Sequence, residues 1–146
     1  MTLYLDTSSL VKLYVTEPGS DAVRRLVDAA TIVATSSIAY TETRAALARR
    51  RRERVLRPLV FASAKKNFEA EWPQYLTIEV TSVLCRQAAE LAERYGLRAY
   101  DSVHLAAFAE VALEAGVRAT RFSSFDDVLN RAARSLRRRL TRAQRW

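Results

Sequence analysis

Cysteine, glycine and proline are all scarce in this chain of 146 residues, which has one cysteine, three glycines and three prolines. The lone Cys85 excludes an intrachain disulfide and any cysteine-built zinc cluster, and it suits a reducing compartment, so a cytoplasmic protein is expected. So few glycines and prolines exclude a collagenous or loop-dominated chain. Long apolar runs are missing too: none approaches the roughly 18 residues a helix needs to cross a bilayer, so membrane-spanning helices are excluded. The first basic residue is Lys12, and the start lacks the positive region, apolar stretch and cleavage site of a secretory signal, so the mature chain is expected to begin here. Histidine occurs once, as His104.

What remains is 49% hydrophobic and 27% charged, enough to bury a substantial core in one domain over residues 1–146. The net charge of +8 is unevenly placed. After Asp127 come seven arginines and no acid, whereas the first 127 residues hold 17 basic and 16 acidic groups. The segment 134–146 is therefore a basic C-terminal stretch. A second block, Arg49 to Arg52 with Arg54 and Arg57, is countered only by Glu53. Of the 24 basic residues 21 are arginine, whose planar donor fork suits phosphate. Arg49, Arg50, Arg137 and Arg138 are the expected substrate contacts; the competing reading is a solvated helix face.

Short β-prone runs at 2–5, 31–34, 77–81 and 117–123 alternate with helical patterns. The helices are read after Asp6, over 21–30, from Ser36-Ser37 through Arg54, over 55–72 to the Trp72-Pro73 stop, and along Val83, Leu84, Ala88, Leu91 and Tyr95 to Gly96. They continue over 102–115, opened by Asp101 and closed by Gly116, and from Asp126-Asp127 through Ala133. The last dozen residues read equally as helix, edge strand or mobile arm. Strands separated by helices of ten or more residues predict an α/β fold, a central and mostly parallel sheet flanked by helices. Right-handed crossovers then place every strand's C-terminal end along one edge.

Ligands of open α/β sheets bind at that edge, and four acids fall there. Asp6 ends the first strand, Glu42 lies early in the helix after the second, Asp101 opens the helix after Gly96, and Asp126 follows the fourth strand. They are 36, 59 and 25 residues apart, so only folding brings them together. Clustered carboxylates raise one another's pKa unless a cation neutralises them. Oxygen ligands with no cysteine or histidine set favour Mg2+, with Mn2+ as the alternative, and such ions suit phosphodiester hydrolysis. Each acid also has a structural reading: Asp6, Asp101 and Asp126 as helix caps, Glu42 as a solvated helix residue. His104, one turn from Asp101, reads as a satisfied core residue or a substrate contact, and Cys85 as an inert thiol. Ser8, Ser9, Ser123 and Ser124 read as caps or as donors to the acids. The aromatics show no interleaving with arginine, so base stacking is not expected and most should be core.

The segments Leu3-Tyr-Leu-Asp6-Thr-Ser-Ser, Ser36-Ser-Ile-Ala-Tyr-Thr-Glu42-Thr-Arg-Ala-Ala-Leu, Tyr100-Asp101-Ser-Val-His-Leu-Ala-Ala and Phe122-Ser-Ser-Phe-Asp126-Asp-Val-Leu-Asn-Arg-Ala-Ala closely resemble the PIN-domain family in order, spacing and context. The resemblance spans residues 2 to 133, and the length is similar to the VapC-type toxins of toxin-antitoxin pairs. It implies a PIN-like parallel sheet flanked by helices and a Mg2+- or Mn2+-dependent ribonuclease. Asp6, Glu42, Asp101 and Asp126 would be its catalytic acids, with Asp6, Asp101 and Asp126 as metal ligands. Ser124 would give a supporting hydrogen bond, and Asp127 would replace Asp126 if the latter only caps its helix. It also implies an RNA substrate, a cognate antitoxin and a homodimer. Many relatives end in a further apolar strand, which the arginine-rich terminus puts in doubt. Two rival readings are a catalytically weak or inactive PIN module that binds nucleic acid or a protein partner, and a phosphoacceptor receiver domain. The receiver reading lacks its adjacent acid pair and late lysine.

Overall fold

The computed structural model describes residues 1–144; Arg145, the last of the seven arginines, and Trp146 lie outside the described residues. Strand β1 (Thr2–Leu5) is buried along its whole length, because it is central and covered on both faces. Its side chains alternate. Leu3 and Leu5 point into one apolar cluster and Tyr4 into another. Around it lie β2 (Ile32–Ser36), β3 (Leu76–Ile78) and β4 (Thr120–Ser123), in the order β3-β2-β1-β4 and all parallel. The expected parallel α/β sheet is the one found.

On the Leu3 and Leu5 face pack α1 (Thr7–Val11), α2 (Ser20–Ala29), α3 (Ile38–Arg52) and α4 (Pro58–Glu71), the last running into a 3-10 turn at Trp72–Gln74. Leu10, Val23, Ala39 and Phe68 carry that contact. On the Tyr4 face pack α5 (Ser82–Tyr95), α6 (Ala99–Ala115) and α7 (Asp127–Ala143), through Leu84, Leu105, Phe108, Leu129 and Leu136. The apolar helix expected over 102–115 is buried on several sides, as α6. Tyr4 itself stacks on Phe122 at 5.7 Å and meets Phe108 edge-on.

Several boundaries differ from the sequence pattern, each for a local reason. Helix α3 stops at Arg52 and the chain reverses through Arg54, whose φ of 60° is left-handed, so α4 cannot start at residue 55. It starts instead at Pro58, where the missing N–H costs nothing. Val117 is buried yet lies in the turn before β4, filling the core without joining the ladder. Val83, expected on the apolar stripe of α5, is exposed beside its N-terminus. Helix α7 runs ten residues beyond Ala133, and Leu136, buried beneath the arginines, holds that continuation to the core. Among the described residues the sheet has no fifth strand.

The strand order places β2 and β3 on one side of β1 and β4 on the other, so the chain winds outward from β1 to β3 and then crosses back over to β4. The crevice this opens at the C-terminal ends of β1 and β4 is where open α/β sheets bind ligands. No helix among the described residues is long and apolar enough to cross a membrane.

Candidate active site

Asp6 follows β1 and is the N-cap of α1, so the capping role foreseen for it is real. Its two oxygens are divided between tasks. Oδ1 accepts from the Ser9 amide at 3.0 Å and the Ser8 hydroxyl at 2.7 Å, while Oδ2 accepts from Ser124 Oγ at 2.6 Å. The carboxyl is 4% exposed, and burial pushes it above the usual carboxylate range against the pull of the Ser124 and Ser8 hydroxyls. Below it, Ser9 Oγ and Ser123 Oγ bond at 2.8 Å and tie α1 to β4.

Glu42 lies one turn into α3 and leans over the same edge. Its Oε1 accepts from Thr7 Oγ1 and from His104 Nε2, both at 2.7 Å. The Tyr4 hydroxyl sits 2.9 Å from His104 Nδ1. Burial, together with the charges of Asp6 and Glu42, keeps Tyr4 protonated far above its ordinary range. Tyr4 therefore donates to Nδ1, which leaves Nε2–H to donate to Glu42. Burial opposes ionisation of Glu42, but the hydrogen bonds from His104 and the Thr7 hydroxyl outweigh it and hold the carboxyl below its ordinary value. His104 is thus a satisfied core residue, as its apolar context suggests, and what satisfies it is an acid of the site.

Asp101 is not the cap of α6. The helix begins two residues earlier, after Arg98, and Asp101 stands in its first turn, where the helix dipole favours a carboxylate. Its Oδ2 accepts from Arg98 Nε at 3.1 Å, and the same guanidinium reaches Asp126 Oδ2 at 3.6 Å. Asp126 is the N-cap of α7 through Oδ1, which accepts from the Leu129 amide at 2.8 Å, so its other oxygen stays turned to the edge. Ser124 Oγ accepts from the Asp126 amide at 3.0 Å while it donates to Asp6. Asp127 is an exposed first-turn residue without an ion pair among the described residues.

These contacts close a ring. Asp6 leads through Ser124 to Asp126, then through Arg98 to Asp101, along one turn of α6 to His104, and through Glu42 to Thr7, which is joined to Asp6 by the chain itself. Every member of the expected quartet is in it, as is Ser124. Thr7, Arg98 and the anchoring role of His104 escape sequence reasoning. Only His104, at helical spacing from Asp101, carries a signal there. In this arrangement no three of the described histidine, cysteine, aspartate and glutamate side chains lie close enough to hold a metal ion. The donors nevertheless fit a hard divalent cation in kind: they are oxygens only, they include one buried carboxylate, and two of the acids already share one positive group. That group, the Arg98 side chain, is 80% exposed and can leave without breaking packing.

The arginines are placed differently. Arg50 is spent on Glu17, which also pairs with Lys12 at 3.0 Å, and Arg49 pairs with Glu53 at 2.9 Å. Arg137 donates to the Arg118 carbonyl at 3.3 Å. Arg138 is exposed on α7 beside Arg134 and Arg142 with no acid partner among the described residues. Measured along the helix, Arg137 and Arg138 stand about 16 Å or more from the Asp126 end.

The PIN domain family model matches residues 3–135 of the chain. Two curated relatives from Mycobacterium tuberculosis, "Ribonuclease VapC45" of strain CDC 1551 / Oshkosh and "Ribonuclease VapC49" of strain ATCC 25618 / H37Rv, are each 38% identical over 104 residues. That alignment covers 71% of this chain and 72% of each relative.

Proposed function

This chain belongs to the PIN domain family, and on that premise we propose that it is a metal-dependent endoribonuclease, the toxin of a toxin-antitoxin pair, which hydrolyses RNA phosphodiester bonds. The observation that carries the reading is the 38% identity to proteins named ribonucleases over 71% of the chain. The ring of acids supplies the chemistry. Asp6, Asp101 and Asp126 are the residues that would hold a Mg2+ or Mn2+ ion, which would supply Lewis-acid stabilisation of the scissile phosphate and a more acidic water. Glu42, kept ionised by His104 and Thr7, takes the proton of the attacking water at Oε2, which has no hydrogen bond among the described residues. Ser8, Ser9 and Ser124 fix the Asp6 carboxylate, so it need not reorganise during the reaction. The arginines of α7 that have no acid partner among the described residues attract the RNA chain, Arg138 first among them. A cognate antitoxin, a homodimeric state and a cytoplasmic location belong to the same reading; the free, exposed thiol of Cys85 is compatible with the last.

Cleavage of total RNA by purified, antitoxin-free protein tests the proposal. Discrete products are expected with Mg2+ or Mn2+ and none with EDTA. Products that persist under chelation would refute the metal-dependent chemistry, and a well-folded protein that cuts no RNA class would refute the ribonuclease.

A further inference from the structure

Phe125 sits between the two loop residues that reach the acid edge, Ser124 and Asp126. Its side chain is 47% exposed, whereas the other four phenylalanines are buried or half-buried. An exposed phenylalanine on a polar loop usually swings freely, but this one is held on three sides. Its amide donates to Ser8 Oγ at 2.9 Å, and that hydroxyl in turn donates to Asp6 at 2.7 Å. The Lys12 ammonium stands 4.5 Å from the ring centroid. At Gly19, where φ is 94°, a Cβ atom would come within 2.6 Å of ring Cε1, so bare backbone abuts the ring edge. Lys12 is itself fixed by Glu17. Tyr100, which precedes Asp101, is 61% exposed but has no ring or hydrogen-bond partner among the described residues, so nothing holds it in place.

A rigid, half-exposed aromatic ring one residue from a site acid, with a cation over one face, has the chemistry that captures a base of single-stranded nucleic acid on its other face. Resting on the ribonuclease reading, we propose that Phe125 is the platform on which a base of single-stranded RNA stacks next to the scissile phosphate, and that it thereby helps to set where the chain is cut. The expectation that no aromatic stacks on bases came from the missing interleaving of arginine and aromatics along the chain. The cation over the Phe125 ring is a lysine more than a hundred residues away in sequence.

The test uses the cleavage-silent Asp101→Asn protein, titrated with short single-stranded oligoribonucleotides that carry 2-aminopurine at successive positions. Quenching is expected at one or two positions. Phe125→Leu in the same background should abolish it and weaken binding roughly ten-fold or more. Phe125→Trp, which keeps the stacking face, should retain both. In the otherwise wild-type protein, Phe125→Leu should shift or broaden the cut sites on total RNA, and thermal melting shows whether each variant is folded. If Phe125→Leu leaves affinity, quenching and cut sites unchanged while the wild type binds and cuts RNA, the platform is refuted and the ribonuclease stands. If the wild type neither binds nor cuts RNA, both fall together.

Discussion

Helix α7 begins at an acid and ends among arginines, and its two ends are built in different ways. At the first end each charged group has assigned partners: Asp126 divides its oxygens between the α7 amides and Arg98, Asp6 divides its own between α1 and Ser124, and Glu42 is gripped by Thr7 and His104. At the other end Arg134, Arg138 and Arg142 face solvent with no acid partner among the described residues. Fixed dipoles and carboxylates suit bond making and breaking, because nothing has to reorient as charge develops. Unpaired, flexible cations suit a polyanion of varied sequence, since their attraction is long-ranged and indifferent to bases. On the proposed ribonuclease reading, chemistry and capture are separated along about 25 Å of one helix.

The largest test of that separation is Asp101→Asn. It should lower the cleavage rate by at least about 100-fold and leave RNA affinity within about two-fold. Asp6→Asn should act alike on rate while melting at the same or a higher temperature. Asparagine caps helices as well as aspartate does, and the variant removes a buried carboxylate that burial penalises. A drop in melting temperature with intact cleavage would make Asp6 purely structural. His104→Ala comes next. It strands the Tyr4 hydroxyl and frees Glu42, so it should slow cleavage about 10- to 100-fold and cost about 1–3 kcal/mol in urea unfolding.

Changing Arg134, Arg138 and Arg142 together to Ala should reduce the slope of log affinity against log salt by about 2 and weaken binding at moderate salt, with no loss of single-turnover rate at saturating RNA. The smallest effect is one of pH. The Glu42 carboxyl is held below its ordinary value when folded, so it stabilises the protein above the unfolded value of about 4.3, and this is lost as pH falls through the lower folded value. Unfolding of Glu42→Gln should lack that acid-side loss. Asp6 contributes with the opposite sign, because its raised value penalises the folded state once it ionises, but it is common to both proteins and cancels in the difference. Identical acid-side slopes would mean that His104 does not favour the ionised form.

The sheet was legible because its strands fall in short β-prone runs and two of the helices between them end at glycines: Gly96 closes α5 in the left-handed region and Gly116 follows α6 directly. The four acids were legible because each stands just beyond a strand or at the start of a helix, which is also why three of them raised the question of capping. The structure answers it without a contradiction. Asp6 and Asp126 cap with one oxygen and face the edge with the other, and Asp101 does not cap at all. What escaped were contacts between residues far apart in the chain. Nothing near Arg98 announces that it spans two acids, and His104 reads as core because it is core. The end of the chain was illegible for another reason: its arginines hide the apolar row of Leu129, Ala132, Ala133 and Leu136 that makes α7 one continuous helix.

The division between chemistry and capture is tested most directly by measuring single-turnover cleavage rate and RNA affinity side by side for Asp101→Asn and for the triple change of Arg134, Arg138 and Arg142 to Ala. The expected result is a crossed pattern, in which the acid variant loses rate and keeps affinity while the arginine variant loses affinity and keeps rate. Parallel loss of both quantities in both variants would contradict it, and would mean that one surface does both jobs.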